Sequence, residues 1–490
     1  MSPTRIGSKG SRMRRFLQWG SAAGITLLAL AAIYALREFY SARKELRIVL
    51  HRIEAEGTVR PLEEVVARPP AEALDNGRKL LSAIEKLRDL RSTSPAVRLG
   101  PGLMRLVAPG KALSGVFSEK PYYMGDEFSP DWEEFRRQVT KSTKILEEAR
   151  EILKKPTALE YRYTAPVGAP DFFAQANDLL VWLRASALLK FHDGDITGAI
   201  EDLTGIRQLC TVMGDSGAIL RLVFGFGMWH YGLTELFWEL LENGSLTDAD
   251  LLKLQEIATG DFVSGNLRAM EAEFRVTPFV LRQFADAVSS DLAWTFAPDS
   301  SGFLGTEFAI TLRKFLWPRL WMYAEEAKAL SNWENAIKAT HKLISTKNWK
   351  LVAPGLKSTA SKRPYDQWRF PWAEAFSGAK FTRSVLGQGL RAENLSHMVR
   401  TVIALKRYRL RNGDYPDHLD QLLPDYLPSV PIDWYDGLPL KYRRTEGDGF
   451  LLYSVGPNGI DEGGDATPVD QKQGFSIASG RDIVWPRVGP

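Results

Sequence analysis

The side chains able to do metal or nucleophilic chemistry in this chain are few and scattered. Six histidines occur, His51, His192, His230, His341, His397 and His418. None forms the His-Glu-x-x-His pair that sets two imidazoles on one helical face around zinc. His192-Asp193-Gly194-Asp195 comes nearest to a metal motif, but a Gly between two helical stretches reads first as a hairpin turn. The lone Cys210 excludes an intramolecular disulfide and a Cys-based zinc site, and its apolar neighbours mark it as buried filling. There is no Gly-x-Ser-x-Gly elbow, and Gly355-Leu356-Lys357-Ser358-Thr359 lacks the spacing of a phosphate loop. Neighbouring carboxylates such as Glu147 with Glu148, or Glu325 with Glu326, point in different helical directions, which suits a solvated face more than acid/base work. The residues therefore point away from an enzyme. The competing expectation is an extracytoplasmic hydrolase using acidic residues with His192 or His230, in a cleft between a helical body and the C-terminal region.

What must position these residues is a long, ordinary globular chain with an apolar leader. At 490 residues, 44% hydrophobic and 25% charged, it is large enough for two or three folded domains. The 63 basic and 59 acidic residues leave a net charge of +4, too thin an excess to argue for nucleic acid. From Trp19 to Leu36 no charge occurs, and Ile25, Leu27, Leu28, Leu30, Ile33 and Leu36 stand among small residues. That length predicts a single transmembrane helix. Arg5, Lys9, Arg12, Arg14 and Arg15 before it place the N-terminus in the cytoplasm, and the bulk of the chain then lies outside. A cleaved signal peptide is the alternative, but the span exceeds a usual h-region and lacks a clear cleavage site. The helical pattern continues through Phe39, Leu46, Val49, Leu50 and Ile53 as a stalk.

Beyond the linker carrying Pro61, Pro69 and Pro70, helical periodicity returns over 71–90. The next forty residues are rich in Gly and Pro, and no element is assigned there. A helix is predicted from Ser129 to Lys155, and two more over 171–213, folded back at His192–Asp195. That pair resembles one tetratricopeptide hairpin, although no 34-residue period recurs. Further helices are predicted over 217–242, from Thr247 with an acidic first turn, over 264–287 with a kink at Pro278, and over 306–344 with a bend at Pro318. A loop is read at 293–305. In the 306–344 stretch Phe315, Leu316, Trp317, Leu320, Trp321 and Tyr323 form an aromatic belt. Arg313, Lys314, Arg319, Glu325 and Glu326 exclude a second crossing and leave docking at the bilayer interface as the alternative to burial. The basic and aromatic segment around Trp349, Trp368 and Trp372 reads as a connection pinned to the helical body.

The C-terminal hundred residues carry the most specific order of features. A helix over 388–411 ends in Arg407, Arg409 and Arg411, and Asn412-Gly413 stops it. Tyr415-Pro416 opens a loop, Leu419–Leu423 forms a short turn, and strands are predicted over 440–443 and 450–454. Pro431, Asp433, Trp434, Gly437, Pro439, Tyr442, Tyr453, Ser454, Gly456, Gly459, Gly463 and Gly464 then appear in an order that resembles the globular part of the major pseudopilin of type II secretion systems. The resemblance implies an acidic loop that holds calcium, with Asp461, Asp465, Asp470 and Asp482 in the ligand positions and Asp482-Ile483 with Trp485 as the closing motif. It departs from the family where Ala29 stands in place of the characteristic Glu of the processing site, and where more than three hundred residues precede the module.

These readings combine into a mainly α chain: cytoplasmic basic tail 1–18, transmembrane helix 19–36, stalk and linker 37–70, helical body 71–347, inter-domain segment 348–387, and a pseudopilin-like α+β module at 388–490. The expected protein is anchored in the cytoplasmic membrane and faces outward. Its partners are the lipid bilayer and other envelope proteins, with no nucleic acid.

Overall fold

The computed structural model describes residues 9–61, 64, 69–94, 104–108, 111–114, 132–159, 170–214, 225–227, 229–286, 317–356, 373, 377–446, 449–467 and 481–485. The described chain is mainly helical and divides into two compact units, one of residues 1–57, 277–332 and 360–378, the other of 58–276, 333–359 and 379–490.

In the first unit, helix α1 (Lys9–Glu56) runs unbroken through the expected span and stalk. It stops where Gly57 turns left-handed at φ 58°. Ala42, Leu46, Val49 and Ile53 recur at helical spacing and are buried. Earlier on the same helix Leu30, Ile33, Tyr34 and Leu36 are exposed. Among the described residues no helix is long and apolar enough to cross a membrane; the side chains at 9–25, 27, 28 and 31 lie outside the description. The long helix expected from Thr306 is replaced, where it is described, by a π-helical turn at Trp317–Trp321 leading into α10 (Met322–Thr346). Pro318 has no N–H for the regular ladder, and the wider turn is the local answer. Trp317, Trp321 and Met322 pack there with Leu281. The predicted loop at 293–305 lies outside the described residues.

The second unit is built on α2 (Ala71–Ser92), α4 (Thr143–Leu153), α5 (Pro170–His192) and α6 (Ile196–Gly214). Leu80, Ile84, Leu87, Leu146, Leu179, Leu183, Leu203 and Ile206 form its core. Trp182 is wholly buried and keeps its indole N–H satisfied on the Leu87 carbonyl at 3.0 Å. Two expectations are corrected here. The single helix expected over 129–155 is two, α3 (Trp132–Thr140) and α4. Between them Ser142 is buried and its hydroxyl donates to the Val139 carbonyl at 2.8 Å, a local bond that competes with the helix ladder. The Gly- and Pro-rich stretch after α2 contains an antiparallel hairpin, β1 (Met104–Ala108) with β2 (Lys111–Ser114). Strands this short, around Pro109-Gly110, give too little alternation to be distinguished from loop.

The α5–α6 hairpin follows expectation, with Gly194 at φ 81° and the Asp195 carboxylate accepting from the Gly198 N–H at 2.9 Å. Over 217–242 only part of the predicted helix is described, as a π-helical turn at Trp229–Thr234 followed by α7 (Glu235–Asn243). Thr247 caps α8 (Asp248–Ile257) through a reciprocal box with Asp250. Helix α9 (Phe262–Asp286) contains Pro278 as predicted, and a short α11 (Trp349–Val352) follows α10.

Helix α12 (Ala379–Asn412) begins well before the expected Gln388. Within it a Cβ on Gly389 would lie 2.1 Å from the Asn266 side chain, so that glycine lets α9 approach. Gly413, at φ 88°, ends α12 as predicted. Strands β3 (Lys441–Thr445), β4 (Gly449–Ser454) and β5 (Ile483–Val484) form an antiparallel sheet in the order β3-β4-β5, with Lys441 opposite Tyr453 and Ser454 opposite Ile483.

Candidate functional site

The candidate site is the loop between β4 and β5, which carries Gly456, Gly459, Gly463, Gly464 and the acidic residues expected as ligands. Gly456 opens it at φ 68°, and a Cβ there would meet the Arg481 carbonyl at 2.3 Å, so only glycine lets the two ends of the loop close. Asp433, wholly buried, reaches across from the preceding turn and accepts from the Val455 N–H at 2.8 Å and the Tyr435 N–H at 3.0 Å. Burial pushes its carboxyl up to about 6, and those donors act against the shift.

The three expected ligands that are described lie around this loop with different tasks. Asp461 accepts from the Tyr453 hydroxyl at 2.9 Å and from the Gly463 N–H at 3.0 Å. Asp465 accepts from the N–H and hydroxyl of Thr467 at 2.9 and 2.5 Å, which holds its carboxyl below the usual range, and it faces Arg481 at 3.5 Å. Asp482 is buried, and one of its oxygens accepts from the N–H groups of Gly464 and Asp465 at 2.7 and 3.0 Å. Desolvation raises its carboxyl, while these backbone donors pull it down. Asp470 lies outside the described residues.

Calcium requires a shell of oxygen acceptors around a single point. Asp482 instead fills a cradle of backbone N–H groups, itself the anion in the site. Among the described residues no group of three or more His, Cys, Asp or Glu side chains gathers as it would around a metal ion. The described carboxylates close the loop by hydrogen bonding, and Asp461, Asp465 and Asp482 do not gather around one point. Trp485 follows β5 and ties it to its surroundings. The Trp485 N–H pairs with the Leu452 carbonyl at 2.8 Å, and its indole donates to Glu242 of α7 at 3.0 Å, pinning the sheet to the helical body within the second unit.

Asp482→Ala is expected to remove the acceptor that holds Gly464 and Asp465, at a cost of about 1–3 kcal/mol. Asp461→Ala leaves the cradle in place and costs less. Thermal melting of the full chain measures both. A calcium titration alongside separates the metal reading: a rise in Tm that disappears in Asp465→Ala supports a bound ion, and an unshifted Tm leaves hydrogen bonds alone.

Of the two histidines named for hydrolysis, the side chain of one is described. His192 is exposed at the α5–α6 turn, beside Asp193, which forms a forked ion pair with Arg136. The side chain of His230 lies outside the described residues. Cys210 is buried, and burial pushes its thiol up to about 12, far from a nucleophile.

Two polar clusters were not singled out from the sequence. In the first, Asp202 is wholly buried between Arg150 at 2.8 Å, Lys190 at 2.9 Å and the Ser186 hydroxyl at 2.6 Å. Arg150, Ser186 and Lys190 also line a cavity of about 290 Å³ with Glu147, Asp195 and Glu201. In the second, Glu393 accepts from the first N–H groups of α9, those of Phe262 at 2.8 Å and Val263 at 3.3 Å, and so caps that helix from a distance. His397, one turn on, lies 3.6 Å from Glu393. Its Nδ1 is 2.9 Å from the Ile432 carbonyl, which can only accept, so Nδ1 carries the proton. Burial pushes Glu393 up to about 7 and His397 down to about 4, so the two face each other uncharged between those values rather than as an ion pair. The signal available in the sequence was a Glu-x-x-x-His pair on an otherwise apolar helix. Neither cluster presents a nucleophile beside a free base. No protein family, no curated protein and no solved structure matches this chain.

Proposed function

We propose that the chain is a membrane-anchored extracytoplasmic protein that works by holding and binding other envelope proteins, structural rather than enzymatic, with a pseudopilin-like terminal module and a place in a secretion or envelope assembly. The observation that carries this reading is a broad exposed apolar arc on α1. Leu30, Ile33, Tyr34 and Leu36 are 57, 62, 47 and 57% exposed and spread over about 160° of the helix surface at its roughly 100° turn per residue. An apolar arc of that width is stable against lipid or a partner, and these four side chains are not covered by the fold itself. The chemistry of the polar groups agrees. Asp482, Glu393 and Asp202 are engaged by donors of the fold itself, so these three buried carboxylates hold the structure together rather than stand ready as general bases.

Full-length protein is expected to stay with the membrane through an alkaline wash. Leu28→Lys with Leu30→Lys is expected to release it, since each lysine near mid-span costs roughly 3 kcal/mol. Extraction of the unmodified chain by that wash would sink the anchor. Turnover of an envelope substrate by the purified chain, lost on changing one carboxylate, would overturn the non-enzymatic part.

A further inference from the structure

We infer that the outer edge of the turn Trp317–Tyr323, formed by Arg319, Leu320 and Tyr323, is a second membrane contact seated in the phosphate-bearing headgroup layer beside the anchor, while Trp317 and Trp321 stay packed in the unit's own core. The inference rests on the reading of α1 as that anchor and concerns only the first unit. The helix itself acts as a ruler. Phe39 and Arg43 lie three and seven residues beyond Leu36, about 4 and 10 Å along an axis that rises about 1.5 Å per residue. The headgroup layer extends roughly 5–8 Å beyond the hydrocarbon on each face. Phe39 therefore falls inside that layer, and the Arg43 backbone lies just beyond it, close enough for a long guanidinium side chain to reach back to the phosphates.

Tyr323 is locked to both. Its ring meets Phe39 edge-on at 5.7 Å, while the Arg43 guanidinium lies 4.8 Å from the Tyr323 ring centre and donates to its hydroxyl at 3.1 Å. Tyr40, on the same helix, is 65% exposed. An aromatic group with a polar tip at this depth matches the preference of such side chains for the membrane interface.

The charges have the matching sign. Both acids that follow the turn face inward. Glu325 accepts from the Trp317 indole and from the Ala373 N–H at 2.9 Å, and Glu326, 1% exposed, faces Arg282 at 3.7 Å. Arg37, Arg43, Lys44 and Arg319 are exposed, against the exposed Glu45 and the half-buried Glu38. Among the described residues around the turn the balance is thus positive, which favours anionic lipid.

The test uses the full chain in a Cys210→Ala background, carrying one fluorophore at Arg319→Cys, Leu30→Cys or Leu252→Cys. Leu252 is exposed on α8 and serves as the remote control. The labelled chains are placed in phosphatidylcholine vesicles with and without phosphatidylglycerol. The label at 319 is expected to lose most of its emission to a nitroxide on the headgroup, more so with phosphatidylglycerol, while the label at 252 keeps its emission. The label at 30 is expected to be quenched by a nitroxide in the acyl chains. If 30 is quenched and 319 behaves like 252, the second contact is wrong and the anchor stands. If 30 is not quenched, the anchor fails and this inference with it. Leu320→Cys, on the same turn, is the second reporter should the 319 variant not fold.

Discussion

Asp202→Ala is expected to destabilise the helical body by about 3–5 kcal/mol, because removing one partner of a buried charge cluster leaves the others uncompensated. Arg150 would keep a guanidinium that is 10% exposed and has lost its carboxylate, and the Ser186 hydroxyl would lose its acceptor. Lys190, with 24% exposure, can turn toward solvent, so most of the damage falls on Arg150. Asp202→Asn is expected to be only partly milder, since its amide group presents a donor where the fold supplies donors already. Arg150→Met combined with Asp202→Leu removes both charges and is expected to recover much of the loss. The readouts are the denaturant midpoint and hydrogen-exchange protection in α5 and α6. A midpoint for Asp202→Ala within about 0.5 kcal/mol of the unmodified chain would mean the cluster is ornamental.

The second large effect depends on pH and comes from Glu393 and His397 acting in opposite directions. Glu393 rises from 4.5 to about 7 on folding. Between those values the folded chain holds more protons than the unfolded one, so its share of stability falls as pH rises through that window. His397 drops from 6.5 to about 4, with Arg400 and Lys347 adding to the desolvation that lowers it. There the folded chain holds fewer protons, and stability rises with pH from about 4 to 6.5. In the unmodified chain the two slopes nearly cancel. Each single variant is expected to expose the other group. Glu393→Gln, which keeps an oxygen for the Phe262 N–H, should make the chain more stable by about 3 kcal/mol at the top of the His397 window than at its bottom. His397→Gln should make it less stable with rising pH by a similar amount. Melting curves across that range measure both. Parallel pH profiles for the two variants would refute the opposed pair.

Much of the local grammar was legible in the residues. Thr247 with Asp250, the Gly194 turn, the stop at Gly413 and the strands beside Gly449 all emerged close to where expected, because each is decided by neighbours a few residues apart. The acidic loop is harder to read for the same reason. Acidic residues among glycines look alike whether the carboxylates face a cation or the loop's own N–H groups, and Asp482 faces the latter. The break between α3 and α4 also escaped, since Ser142 is an unremarkable surface residue until it is buried.

What the sequence alone determined about this protein is its class and its punctuation: a mainly helical chain behind an apolar leader, with a small β-rich end. Tertiary structure decided which polar residues matter. Arg150 and Asp202 are 52 positions apart, and Glu393 lies 131 from the helix it caps. Periodicity and spacing report on contacts within a few turns, whereas the desolvation that makes these groups consequential exists only once distant helices have closed over them.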